Sequence, residues 1–269
     1  MTIGRTARVM AMAAVAIAAS GQPTTNDARE AYLKTAKIVK TKSLSMGVTN
    51  SMKAYLDDGI MQHDAHVQTI DEYKAKFEGT QGTEINFRDS YKYNVAAYRI
   101  AKMLNLDMVP PSVDRKVDGK SSAITWWVEN AVMTELDRHK SKQEPPDQNA
   151  WNQQMVTVQI FDQLILNVDR NLGNLVITKD WNIWMIDHTR AFRLYKTCPK
   201  LAGMKQIDRT LLENLKKLNK ADLKSELSQY LTPMEIDGVL ARRDAIVKHF
   251  GVRMAENGEA KVLYQMASR

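Results

Sequence analysis

Asn167-Val168-Asp169-Arg170-Asn171-Leu172-Gly173-Asn174 and, further on, Ile186-Asp187-His188-Thr189-Arg190-Ala191-Phe192 are the two stretches that decide how this chain folds. Just before the first, Trp151, Met155, Val158, Phe161 and Ile165 recur at helical spacing and outline an amphipathic helix. Between the two, Leu175-Val176-Ile177-Thr178 and Ile183-Trp184-Met185-Ile186 read as strands around a turn at Lys179-Asp180. A long helix, a loop ending in Asn, a tight hairpin and then Asp would deliver Asp169, Asn174 and Asp187 to one cleft. Phosphoryl transfer needs such a set: a carboxylate beside the attacking hydroxyl, and oxygen ligands for the divalent cations that bridge nucleotide phosphates.

Working outward, residues 51–130 read as strand-rich and residues 131–269 as mostly helical, which predicts an α+β protein of two lobes. Asp57-Asp58-Gly59 is a turn signal, and Ala65-His66-Val67-Gln68-Thr69-Ile70 alternates like a half-buried strand. Tyr93, Ala97, Ile100 and Leu104 predict a helix over 91–105, with Asp89 or Ser90 as its cap. Pro110-Pro111 leads into a strand, Ala123–Val128 forms another, and 138–147, with Pro145-Pro146, reads as a loop. Three helices follow, over 211–218, 220–231 and 233–250.

The 269 residues carry 38 Lys+Arg against 31 Asp+Glu, a net charge of +7, with 44% apolar and 26% charged residues. That balance excludes low-complexity disorder, and a lone cysteine, Cys198, excludes a disulfide scaffold. The lysines are spread along the chain and interleaved with acids, as on a solvated helix face, so no nucleic-acid partner is expected. Arg5 and Arg8, the apolar run Val9–Ala19 and the small residues Ala16-Ile17-Ala18 follow the grammar of a secretory signal over residues 1–20. An apolar N-terminal helix in a cytosolic protein is the alternative. The run falls short of the roughly 20 residues that span a bilayer, and no later run is longer. The expectation is an exported protein, periplasmic or extracellular, whose mature chain is not inserted in a membrane. Residues 21–50 read as a mobile lead-in, with some helix within 21–45.

D-R-x-x-x-N followed by I-D-x-x-x-A-F resembles the atypical branch of the protein-kinase-like superfamily. That branch contains phosphatidylinositol 3- and 4-kinases, HipA-type and CotH kinases, and secretory-pathway kinases of the Golgi casein-kinase type. The stretch Asp89–Tyr98 through Pro110-Pro111 resembles the first-lobe helix and following strand of bacterial members, and the resemblance spans roughly residues 50–250. It implies a small strand-rich N-lobe, a mostly helical C-lobe, ATP and Mg²⁺ or Mn²⁺ as cofactors, and a protein or small-molecule acceptor. By resemblance, Asp169 positions or deprotonates the acceptor hydroxyl, while Asn174 and Asp187 hold the metal.

Two departures stand out. The lysine and glutamate that pair in working members fall at Gln68 and Asn94, a joint exchange of two charges for two amides that is electrostatically consistent. Lys74, Lys76 or Lys92 is then a candidate substitute for the phosphate-gripping lysine. No clear glycine-rich loop precedes the strand, and Gly79 and Gly82 come after it. Elsewhere, His63 and His66 on one strand point to opposite faces and make a poor metal site. Trp126, Trp127, Trp181 and Trp184 read as packing residues, although Trp126-Trp127 could border an adenine pocket. Cys198 reads as inert, and the fifteen methionines as packing filler. Two functions follow: a metal-dependent kinase-like phosphotransferase, or a pseudokinase that keeps the fold as a binding or scaffold module.

Overall fold

The computed structural model describes residues 25–44, 51–79 and 82–267. The leader-like segment 1–20 lies outside them. The stretch expected as a mobile lead-in instead carries two elements, helix α1 (Asn26–Thr35) and strand β1 (Lys37–Ser43). Thr25 caps α1 by accepting from the Ala28 amide, and Tyr32, Leu33 and Ala36 bury their apolar atoms against the sheet beside it. These three and the partly buried Ile38 anchor a segment that is otherwise largely polar.

Strands β1, β2 (Met52–Asp57) and β3 (Gln62–Gln68) form an antiparallel meander. Two later strands, here named β6 (Ser112–Val117) and β7 (Lys120–Trp126), complete a five-stranded sheet in the order β1-β2-β3-β7-β6. Alternation sorts the two faces. Ala54, Leu56, Ala65 and Val67 are fully buried in the small core with Tyr32 and Ile124. Lys53, Tyr55, Asp64, His66 and Gln68 share the opposite face.

Between β3 and the next helix the chain runs out into a ribbon, β4 (Asp71–Gly79) paired with β5 (Gly82–Ser90). Helix α2 (Lys92–Met103) follows, as the periodicity predicts. Its cap does not. The strand ladder continues through Ser90, paired with Asp71, and the helix opens at Tyr91 without a side-chain cap. Asp89 and Ser90 are strand residues, with Ser90 Oγ donating to Asp71 at 2.7 Å. The face Tyr93-Ala97-Ile100-Leu104 packs into the larger core with Phe161, Ile165 and Phe192 of the helical half, so α2 is held by the half it does not belong to in sequence.

Beyond β7, strand β8 (Ala131–Thr134) leads to α3 (Glu135–Ser141), started by a Thr134/Asp137 capping box and running four residues into the expected loop 138–147, of which 142–147 is loop. Asp147 caps the long helix α4 (Gln148–Ile165), and β9 (Leu175–Thr178) and β10 (Ile183–Met185) form the expected hairpin. Helices α5 (Arg209–Lys217), α6 (Lys220–Leu227) and α7 (Pro233–Asn257) close the helical half. Among the described residues no helix is long and apolar enough to cross a membrane.

One buried cation organises this half. Arg242 on α7 donates from Nε to the Leu164 carbonyl at 2.8 Å and from Nη1 to those of Arg193 and Tyr195 at 3.1 and 2.5 Å. Burial lowers its pKa to about 10. One turn earlier, a Cβ on Gly238 would stand 2.9 Å from Nη1. Gly238→Ala is therefore expected to destabilise by about 1–3 kcal/mol through overpacking, outweighing the roughly 1 kcal/mol by which Ala is the better helix former. A melting temperature at or above that of the parent would show that the guanidinium yields freely.

Candidate active site

The loop after α4 is tied down by Arg170. Its guanidinium grips Asp162 of α4 with a two-pronged contact, Nε to Oδ2 at 3.0 Å and Nη2 to Oδ1 at 3.1 Å. Its Nη1 donates to the carbonyls of Asn174 and Ile186 at 3.1 and 2.6 Å. The Ile186 amide donates to the same Asn174 carbonyl at 3.0 Å. One side chain thus holds the loop that carries Asp169 and Asn174 against the end of the hairpin that carries Asp187. Asp169 itself is exposed, and Asn174 and Asp187 are partly so.

Asp187 has a left-handed backbone, φ +53°, and its Oδ1 accepts from Thr189 Oγ1 at 3.1 Å and from Gln68 Nε2 at 3.4 Å. Gln68 Oε1 accepts in turn from the Asn94 amide, and Asn94 Oδ1 accepts from the backbone N–H of His188 at 2.7 Å. Gln68 and Asn94 are 1% and 5% exposed. The two amides expected at the lysine and glutamate positions are therefore bonded to each other and to the Asp187-His188 backbone and side chain, with no formal charge between them. His66, on the same face as Gln68, has its pKa lowered by burial against the opposing pull of the Asp187 charge.

Neither Lys74 nor Lys76 is brought to Asp187. Both stand on the exposed β4–β5 ribbon, paired with Glu72 at 3.1 Å and Glu78 at 2.6 Å, and Lys92 pairs with Asp71 at 2.9 Å. A cation that sequence reading passed over lies closer to the cleft face. Lys53 sits opposite His66 in the β2–β3 register, paired with Asp64 at 2.6 Å and over the Trp127 ring at 4.5 Å. Strand alternation alone would have placed it beside Gln68's face. His63 does face the other way, stacked on Trp126 at 3.6 Å and paired with Glu129 at 2.9 Å. Burial pushes the Cys198 thiol up, as an inert cysteine requires.

Asp89 is the other residue missed. It is 8% exposed, its Oδ1 has no hydrogen-bond partner, and its carboxyl is pushed up by burial and further by the charge on Asp187. The side-chain oxygens of Asp187, Asp89 and Asn174, among them the buried and unpartnered Asp89 Oδ1, are of the type that suits a hard divalent cation such as Mg²⁺ or Mn²⁺.

No protein-family model matches the chain, and no curated protein matches it. Solved structures do. A Hydra Fam20 structure with sugar superposes with a TM-score of 0.65, at 15% identity, over 87% of this chain and 90% of that one. The fold is kinase-like. A Golgi casein kinase with Mn/ADP bound gives a TM-score of 0.62 at 14% identity, over 88% of this chain and 78% of that one. The Helicobacter pylori proinflammatory kinase CtkA gives 0.52 at 11% identity, over 84% and 98%. This kinase-like fold accounts for the α+β mix and for the convergence of loop, hairpin and helix α2.

Proposed function

We propose that this chain is a kinase-like phosphotransferase that moves the γ-phosphoryl group of ATP to a hydroxyl of a protein or small molecule. The observation that supports the reading is the Arg170 clamp, which binds the Asn174 and Ile186 carbonyls and so holds the loop of Asp169 and Asn174 against the strand end that precedes Asp187. Asp169, exposed on the loop, orients the acceptor hydroxyl and takes its proton as the oxygen attacks phosphorus and the bond to the β-phosphate breaks. Asn174 and Asp187 are the ligands of Mg²⁺ or Mn²⁺, which when bound neutralises charge on the phosphates. Gln68 and Asn94 border the nucleotide through neutral dipoles. The Mn/ADP complex of the Golgi casein kinase supports the same cofactors here. The leader-like grammar of residues 1–20 supports an exported protein, periplasmic or extracellular.

One observation favours a second reading, a pseudokinase that binds or scaffolds. Gln68 satisfies Asn94 rather than a phosphate, and the nearby Lys53 is engaged by Asp64 and Trp127. Melting curves of the full chain with Mg-ATP and Mn-ADP separate the two. Ligand at 100 times its dissociation constant adds about 2.7 kcal/mol, a rise on the order of 5–10 °C for a chain of this size. The phosphotransferase reading expects that rise with metal, and its loss in Asp187→Asn. No rise with either metal at millimolar nucleotide favours the scaffold.

A further inference from the structure

We propose that Asp89 is a metal ligand: with Asp187 it forms a two-carboxylate site for a divalent, oxygen-preferring cation, Mg²⁺ or Mn²⁺, where the end of β5 meets the Asp187–Thr189 segment. The proposal rests on the metal-dependent reading above and adds to it a residue from the strand half of the molecule.

The end of β5 is fixed there by the Ser90 amide, which donates to the Thr189 carbonyl at 2.9 Å. The Thr189 side chain is hydrogen-bonded to both carboxylates, donating to Asp187 Oδ1 at 3.1 Å and lying against Asp89. A hydroxyl has one proton, so it cannot donate to both at once. Asp89 Oδ1 is buried with no partner at all. A carboxylate is seldom buried without an ion pair or a metal.

The surrounding cations pair with other acids, although the Arg190 charge still reaches Asp89 and partly offsets its burial. Arg190 and Arg193 reach Glu84 at 2.5 and 2.6 Å, Arg88 lies 3.9 Å from Glu235, and Lys92 holds Asp71. Neither Asp89 nor Asp187 has an ion pair among the described residues. The obvious structural duty is also excluded, because α2 opens at Tyr91 with no side-chain cap. What is left is two carboxylates that share one hydroxyl, with Asp89 Oδ1 buried and without a donor. That arrangement lowers the stability of the metal-free chain and becomes favourable when a dication enters between them.

The test measures Mn²⁺ alone, by the electron paramagnetic resonance of the free ion, on the full chain and on Asp89→Asn. Melting temperatures of both are taken in chelator. The parent is expected to bind Mn²⁺, and Asp89→Asn to bind it at least tenfold more weakly. Without metal the variant should melt a few degrees higher than the parent, because a buried like charge has been removed. Equal Mn²⁺ affinity in the two chains would overturn the assignment of Asp89 and leave the metal on Asp187 and Asn174. A metal-free Asp89→Asn that melts lower would assign the carboxylate to folding and overturn it too. A parent that binds no Mn²⁺, with or without ADP, would remove the metal-dependent reading and this inference together.

Discussion

Replacing Arg170 by leucine is expected to cost about 3–5 kcal/mol of stability, the range seen when one partner of a buried ion pair is removed. At roughly 2–4 °C per kcal/mol for a chain of this size, the melting temperature should fall by about 10 °C or more. Asp162 is only 7% exposed, and burial pushes its carboxyl up against the opposing charge of Arg170. Its other side-chain partner, Asn167 Nδ2, stands at 3.4 Å and cannot replace a guanidinium. Leucine would leave that carboxylate unpaired and free the Asn174 carbonyl from the Ile186 strand end except for one backbone bond. Arg170→Lys keeps the charge but not the fork, and should recover only part of the loss. The double variant Asp162→Asn/Arg170→Leu should be more stable than Arg170→Leu alone. Nucleotide-dependent stabilisation should vanish in Arg170→Leu even below its melting point. Additive effects of the two substitutions would show that the pair does not act as a unit.

Acidification should destabilise the protein steeply below about pH 6.5. His188 is 2% exposed, and burial, aided by the positive charge of Arg170, holds its pKa well below the usual histidine range. Burial also lowers that of His63, against the pull of the Asp64 carbonyl and Glu129. In the unfolded chain both titrate near 6.5. Below that pH the unfolded state binds the protons that the folded state refuses, so stability is level above about 6.5 and falls as pH drops toward the folded-state values. The slope is about 1.4 kcal/mol per pH unit for each histidine. Between pH 6.5 and 5 His188 alone removes up to about 2 kcal/mol, and the lowered His63 and His66 steepen the fall. His188→Gln should reduce the slope and leave the part due to His63 and His66. Melting temperatures that stay level from pH 7.5 to 5 would contradict the burial of both rings.

The helical half was legible because long periodic stretches leave little choice. Trp151 to Ile165 fits one stripe, and the hairpin after it fits one turn. The exchange of two charges for Gln68 and Asn94 was also legible, through resemblance, and the structure adds that the amides meet. Asp89 was not. An acid just before a helix reads as a cap, and only the pairing of Asp71 with Ser90 shows that the strand continues and aims that carboxylate elsewhere. Helix α1 and β1 escaped for another reason. Their burial depends on Tyr32, Leu33, Ala36 and the partly buried Ile38, too few apolar residues to rise above a lysine-rich background. Lys74 and Lys76 lie near Gln68 in sequence, yet the ribbon that carries them runs out into solvent, so proximity along the chain misled.

The bond between Gln68 and Asn94 also sets how the helix beneath it can be controlled. Where a lysine and a glutamate hold such a helix, their attraction weakens with ionic strength and can be captured by a competing charge. Here α2 is moored to the sheet and to the His188 amide by dipoles that dissolved salt does not screen to the same degree. Its seat should be the same in dilute buffer and in a medium of high or changing salinity.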